Sequence, residues 1–191
     1  MARYIARAIF ALVIGIAPLG GFAFAQRADA HSSKRWNWLK NTYWYVETAY
    51  LPALSTDVST QEHQPVSDQT VWRIDGAKDG YIWGKTFVQI TGRPKQCLNL
   101  VGSVTPDGNV QIVFLISPSQ NVDLAIKTTG MGRMRRVHGQ WKFEMQMTTG
   151  TTSLITHWAF MTQCKEGQSC ENRLPGTDNT LEQFVQPCPS Q

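Results

Sequence analysis

From residue 140 to residue 148 apolar and polar side chains alternate without a break. Trp141, Phe143, Met145 and Met147 fall on one side, and Lys142, Glu144, Gln146 and Thr148 on the other. A period of two puts each set on its own face of a strand, one buried and one wet, which a helix cannot do with this spacing. The same reading predicts strands over residues 42–48, 70–75, 81–90, 97–105, 109–116 and 153–161, the last apolar on both faces apart from His157. Residues 122–129 and 131–137 complete the set. Between the strands stand turn signals: Asp75-Gly76, Asp79-Gly80, Pro106-Asp107-Gly108, His138-Gly139 and Thr149-Gly150. Glycine supplies the positive φ that tight hairpin turns need. Long helical patterns are absent. The expectation is an all-β fold, an antiparallel meander of eight or nine strands that curls into an up-and-down barrel or a two-sheet sandwich.

One connection breaks this rhythm. Residues 49–69 are rich in Ser, Thr, Gln and Pro and read as a long loop, either a lid or a loose connection. Residues 180–186 could add an edge strand.

The N-terminus reads as an address. Arg3 and Arg7 precede an apolar run from Ala8 to Phe24, and Ala23-Phe24-Ala25 gives an A-x-A exit before Gln26. That is the pattern of a secretory signal peptide. Ala28-Asp29-Ala30 is a second possible exit, and an uncleaved anchor is the alternative reading. The run is short for a membrane span and is interrupted by Pro18, Gly20 and Gly21. The chain then divides into a signal at 1–25, a polar lead-in at 26–40, a barrel at 41–163 and a Cys- and Pro-containing tail at 164–191 stapled to the barrel. The expected location is periplasmic or secreted.

Four cysteines, Cys97, Cys164, Cys170 and Cys188, lie beyond the signal. An even number in an exported domain predicts two disulfides. Cys164 with Cys170 would close a small loop and leave Cys97 to Cys188; Cys97 with Cys164 is an alternative. No close Cys/His spacing points to zinc. The chain carries 18 Lys and Arg against 14 Asp and Glu. Loss of Arg3 and Arg7 brings it nearer neutrality, so the mature domain lacks the basic footprint of a nucleic-acid binder.

The first strand, Tyr43-Trp44-Tyr45-Val46, the long first connection and the following meander resemble the calycin architecture of lipocalins and avidins. Thr42 stands where lipocalins usually place a glycine two residues before the tryptophan. The resemblance covers about 120 residues and implies an up-and-down barrel. No cofactor is expected, and no later apolar run is long enough to cross a bilayer as a helix, so no membrane insertion is expected after signal cleavage.

Trp44, Trp72, Trp83, Trp141 and Trp158 all fall on predicted strands and are the expected cavity lining. If Thr149-Gly150 is a two-residue turn, Trp141 faces Trp158 and Met145 faces Leu154. If His138-Gly139 is the other turn, Arg133 faces Glu144, Arg135 faces Lys142 and Arg136 faces Trp141. Arg136 then lies on the apolar face, where a guanidinium must find an anion or an aromatic plane. It could hold a ligand carboxylate or phosphate. The stacked arginine–tryptophan pair of lipocalins implies instead a cap on the barrel end.

Glu144 and His157 would meet diagonally on the wet face, as an acid/base pair or as plain surface charge. No nucleophile has a recognisable setting, and His31, His63 and His138 are scattered. Three readings remain. The first is a non-enzymatic exported binding protein with Trp44, Trp72, Trp83, Arg136, Trp141 and Trp158 about its ligand. The second is a solid-cored envelope protein or inhibitor that recognises a partner with its loops. The third is a small barrel hydrolase or isomerase. Charged residues such as Lys142, Glu144 and Arg133 on the outer face argue against an outer-membrane barrel.

Overall fold

The computed structural model describes residues 34–47, 51–116, 126–150, 153–165 and 167–186. The expected signal segment and Cys188 lie outside the described residues. Nine antiparallel strands make up the body: β1 (Thr42–Val46), β2 (Leu51–Asp57), β3 (His63–Lys78), β4 (Tyr81–Ile90), β5 (Gln96–Val104), β6 (Asn109–Leu115), β7 (Ile126–Val137), β8 (Gln140–Thr149) and β9 (Ser153–Cys164). From β3 to β9 each strand pairs with the next in sequence. β1 pairs with the C-terminal half of β3 and of β9, and β2 with their N-terminal halves. β1 and β2 therefore occupy successive halves of one position. The result is a closed eight-position up-and-down barrel, consistent with a calycin-like architecture.

Closure dictates the sequence pattern. Every second side chain points inward, and Trp44, Trp72, Leu100, Ile112, Phe143, Met145 and Met161 form one buried core. The rings meet edge to face. Phe143 lies 4.6 Å from Trp44 and 5.2 Å from Trp72 between centroids. Such pairs add about 0.5–1.5 kcal/mol each beyond the area they bury. Gly130 and Gly132 on β7 make room for this packing. A Cβ on Gly130 would stand 2.1 Å from the Met147 sulfur, and one on Gly132 2.7 Å from that of Met145.

The turn His138-Gly139 has positive φ at both residues, 49° and 81°, and it sets β7 against β8 as expected: Arg133 with Glu144, Arg135 with Lys142, Arg136 with Trp141. The next hairpin departs from expectation. β8 and β9 pair Lys142 with Thr162, Met147 with His157 and Thr149 with Ile155, so Trp141 does not face Trp158. The slip is five residues. An odd slip exchanges the two faces of a strand. His157 moves inside and Trp158 moves outside.

Three further segments differ from the sequence reading. Residues 49–69 supply β2 and the start of β3, a hairpin and not a loop. Within the lead-in, Lys34–Leu39 forms a 3-10 helix that buries Trp36 and Leu39. It plugs one end of the barrel, where the Trp36 Nε1 donates to Thr105 O at 2.8 Å. The edge strand expected over 180–186 is a short helix, α2 (Leu181–Phe184). It is started by a capping box between Thr180 and Gln183.

The C-terminal segment lies on the outside. With α1 (Ser169–Asn172), it brings Cys170, Leu174 and Phe184 onto Tyr45, Val71 and Phe87, the outward residues of β1, β3 and β4. Cys164 and Cys170 are joined in a disulfide, and Cys97 is also disulfide-bonded. Gln69 fastens the layers. Its Oε1 accepts from the Val46 and Thr70 amides at 3.1 and 2.9 Å. Its Nε2 donates to Val46 O and Pro175 O at 3.0 and 2.9 Å. This side chain supplies ladder bonds where β1 ends.

Candidate ligand cavity

The barrel's two ends differ. At the plugged end the interior is filled. Trp36 packs edge-on against Trp141, with centroids 5.2 Å apart. Arg35 lies over both rings, at 5.0 and 5.7 Å. Arg136 is exposed, 6.0 Å from the Trp141 centroid, and its Nε donates to Gly139 O.

Toward the other end the interior is incompletely filled. A cavity of about 40 Å³ lies inside the barrel, lined from β1 and from every strand from β3 to β9. Trp72, Leu98, Phe114 and Met147 give it apolar walls, and Thr128 and Thr149 lie among its polar lining. These two threonine hydroxyls pair with each other at 2.6 Å. By the usual allowance per water, the space takes about three waters.

Two ionisable side chains line this cavity, Asp68 from β3 and His157 from β9. Asp68 is 8 % exposed. Its Oδ2 accepts from the Thr70 hydroxyl at 3.3 Å, but Oδ1 is buried without a hydrogen-bond partner, and so is His157 Nδ1. Burial pushes the Asp68 carboxyl above its ordinary range, against the attraction of His157. Burial likewise holds the His157 imidazole below its ordinary range, against the pull of Asp68. Each group is thus held toward neutrality by loss of water and toward charge by its neighbour. The Trp72 Nε1 and, across the strand pair, the Thr86 hydroxyl are also buried without partners.

The structure sorts the aromatic residues singled out from the sequence. Trp44 and Trp72 are buried in the core, and Trp72 lines the cavity. Trp141 is half-buried at the plugged end. Trp83 and Trp158 point outward, 45 % and 53 % exposed, against the inward placement expected for them. Trp158 follows from the odd register slip. Trp83 lies over Gly76, at a break in the β3–β4 register. Arg136 and the cavity are at opposite ends.

Glu144 and His157 are on opposite faces, which removes the acid/base pair considered for them. Burial pushes the Glu144 carboxyl up, but Arg135 and Arg133 together outweigh it and hold the group below its usual range. His63 is bonded to the Thr56 hydroxyl at 2.9 Å on the surface, His138 sits in a turn, and His31 lies outside the described residues. Among the described residues no group of three or more His, Cys, Asp or Glu is placed to hold a metal ion.

Asp68 is not legible in the sequence, because it lies in the polar stretch that reads as a loop and its neighbours Gln69 and Thr70 are polar too. No protein-family model matches the chain, and the comparisons with curated proteins and with solved structures also give no match.

Proposed function

We propose that this is an exported binding protein that holds a small apolar or amphiphilic molecule at the cavity end of its barrel. The observation that carries the reading is the cavity itself: apolar walls ending in two buried ionisable side chains, each with an atom lacking a partner. A core made for stability alone leaves few such atoms. Binding sites combine apolar surface with a few polar groups that fix orientation. Export is supported by the signal-like N-terminus and by the Cys164–Cys170 disulfide. The polar anchor in this reading is the Asp68–His157 pair, and Arg136 caps the opposite end.

Tryptophan fluorescence titrated with fatty acids, aromatic acids, amines and cell-wall fragments tests it. A saturable change that is lost in Trp72→Phe is expected. No saturable change with any compound, together with a crystal structure whose cavity is closed by side chains, would overturn the reading.

A second reading, recognition of a protein partner, draws on the outer face of β9. Trp158 stacks edge-on with Phe160 at 5.4 Å, and Leu154 is exposed on the same face of the strand. Substituting Trp158 by Thr would then abolish capture of that partner from an envelope extract and leave ligand titration unchanged.

A further inference from the structure

The plugged end of the barrel carries more positive charge than its own carboxylates neutralise. Arg35 and Arg136 both lie at the Trp141 ring, 5.7 and 6.0 Å from its centroid. Arg35 donates to the Pro106 carbonyl at 3.3 Å and Arg136 to that of Gly139 at 3.2 Å. Among the described residues neither has a carboxylate partner. Arg133 and Arg135, on the same strand as Arg136, share the single carboxylate of Glu144. Asp107 stands in the turn that Arg35 reaches, and its carboxylate accepts from Thr105 and Asn109. The four arginines are exposed, and Lys34 and Lys40, at either end of the 3-10 helix, add to the excess. Lys78 and Asp79 in the next turn cancel. The far tip of the barrel, the turn between β2 and β3, is the reverse. It carries Asp57 and Glu62, with no lysine or arginine over residues 57–62.

Exposed rings accompany the cations. Trp38 on the 3-10 helix is 38 % exposed and Tyr81 at the start of β4 67 %. We infer that the plugged end docks on a bilayer surface rich in anionic phospholipid, with Arg35 and Arg136 on the phosphates and Trp38 and Tyr81 among the head groups. Guanidinium groups pair with phosphate through two hydrogen bonds at once. Clustered Lys and Arg are drawn to anionic lipid, and Trp and Tyr favour the level of the head groups. The rings therefore favour a bilayer over a soluble polyanion. The chain also enters the described structure at Lys34, on this same end. Only residues 26–33 separate it from the expected cleavage point after Ala25, so export delivers this end next to the bilayer. The charge difference between the two tips sets the orientation, with the cavity end away from the membrane. The inference goes beyond the ligand-binding reading and takes from it only export.

Co-sedimentation of the full mature chain with vesicles tests it. Vesicles of phosphatidylcholine with phosphatidylglycerol are expected to bind at least about tenfold tighter than vesicles of phosphatidylcholine alone. Raising the salt to about 0.5 M should release the protein. A basic residue at an acidic membrane contributes roughly fivefold, so Arg35→Gln with Arg136→Gln should weaken binding about twenty-fivefold. Arg93→Gln with Lys127→Gln removes the same charge from the opposite end, in the β4–β5 turn and at the start of β7. That pair should weaken binding by less than about threefold, because its distance from the membrane exceeds the screening length. If the first pair does not fold, Lys34→Gln with Arg135→Gln replaces it and leaves the groups at the Trp141 ring in place. Equal binding to the two kinds of vesicle, binding to neither, or equal losses at the two ends would overturn the inference. Retention on heparin without binding to vesicles would also overturn it and assign the arginines to a soluble polyanion. The ligand titration tests the cavity separately.

Discussion

Replacing Gln69 by alanine asks whether one side chain can stand in for a missing stretch of ladder. The Gln69 amide holds the amide and carbonyl of Val46, the amide of Thr70 and the carbonyl of Pro175. Val46 is 1 % exposed and Gln69 itself 3 %, so water does not replace these bonds in the folded protein. A buried backbone group left unpaired costs about 1–3 kcal/mol. A water entering the vacated volume can satisfy one or two of them, so the expected loss is about 3–5 kcal/mol. For a domain of this size the melting temperature should then fall by roughly 10 °C. Gln69→Glu sharpens the test. It keeps the acceptor but turns a carboxylate oxygen toward two carbonyls, so at pH 7 it should cost at least as much. Burial beside those carbonyls raises its folded pKa above the unfolded value of about 4.3, so its stability is greater below that pH and is lost as the pH rises. Thermal melts of both variants at pH 7 and pH 4 by circular dichroism give the comparison. A Gln69→Ala melt within about 2 °C of the parent would refute the reasoning, since a lost net of four bonds cannot be that small.

Other expectations follow from the same geometry. His157 is held below its ordinary range by burial. The unfolded chain therefore takes up a proton near pH 6.5 before the folded one does, and this contribution to stability declines as the pH falls below that value. The raised Asp68 carboxyl acts in the opposite sense. Melts between pH 7.5 and 5.5 should show His157→Gln losing less stability on acidification than the parent; an equal or steeper loss would assign the effect elsewhere. Trp36→Ala removes the plug and should cost about 3–5 kcal/mol in urea unfolding, as for other buried tryptophans. A loss below about 1 kcal/mol would show that the helix before β1 is not part of the cooperative unit. Cys164→Ser with Cys170→Ser opens a loop with a sequence separation of 6. About 2 kcal/mol should be lost by the chain-entropy relation, checked by the same denaturant titration.

Legibility from sequence followed turn chemistry. His138-Gly139 is a two-residue turn with both φ values positive, so its residue types alone pin β7 to β8 and put Arg136 opposite Trp141. Thr149-Gly150 looks alike, but the strands first pair at Thr149 with Ile155, which leaves a longer connection. Nothing in β9 itself corrects the error. Leu154, Trp158 and Phe160 face out, while Ile155, Ala159 and Met161 face in. A strand apolar on both faces specifies its register weakly. Two parts of the barrel are hidden for a different reason. β2 and the first half of β3 are polar because much of their surface is wet, and only Ala53 and Ser55, with Asp68 and Thr70 beyond, mark the inward side. Asp68 is lost with them, and His157 is lost with the register. The candidate site thus falls where two separate signals fail, whereas Trp44 and Trp72, on clear alternating strands, are legible as interior residues.

The outer layer over β1, β3 and β4 is built from residues far along the chain. Tyr45, Val71 and Phe87 come early, while Cys170, Leu174 and Phe184, which cover them, come about a hundred residues later. A polypeptide emerging N-terminus first therefore displays a greasy patch on these strands until residues 170–184 have arrived. Fragments that stop short of residue 170 keep that patch bare, and so carry a visible mark of incompleteness that chaperones and proteases can recognise.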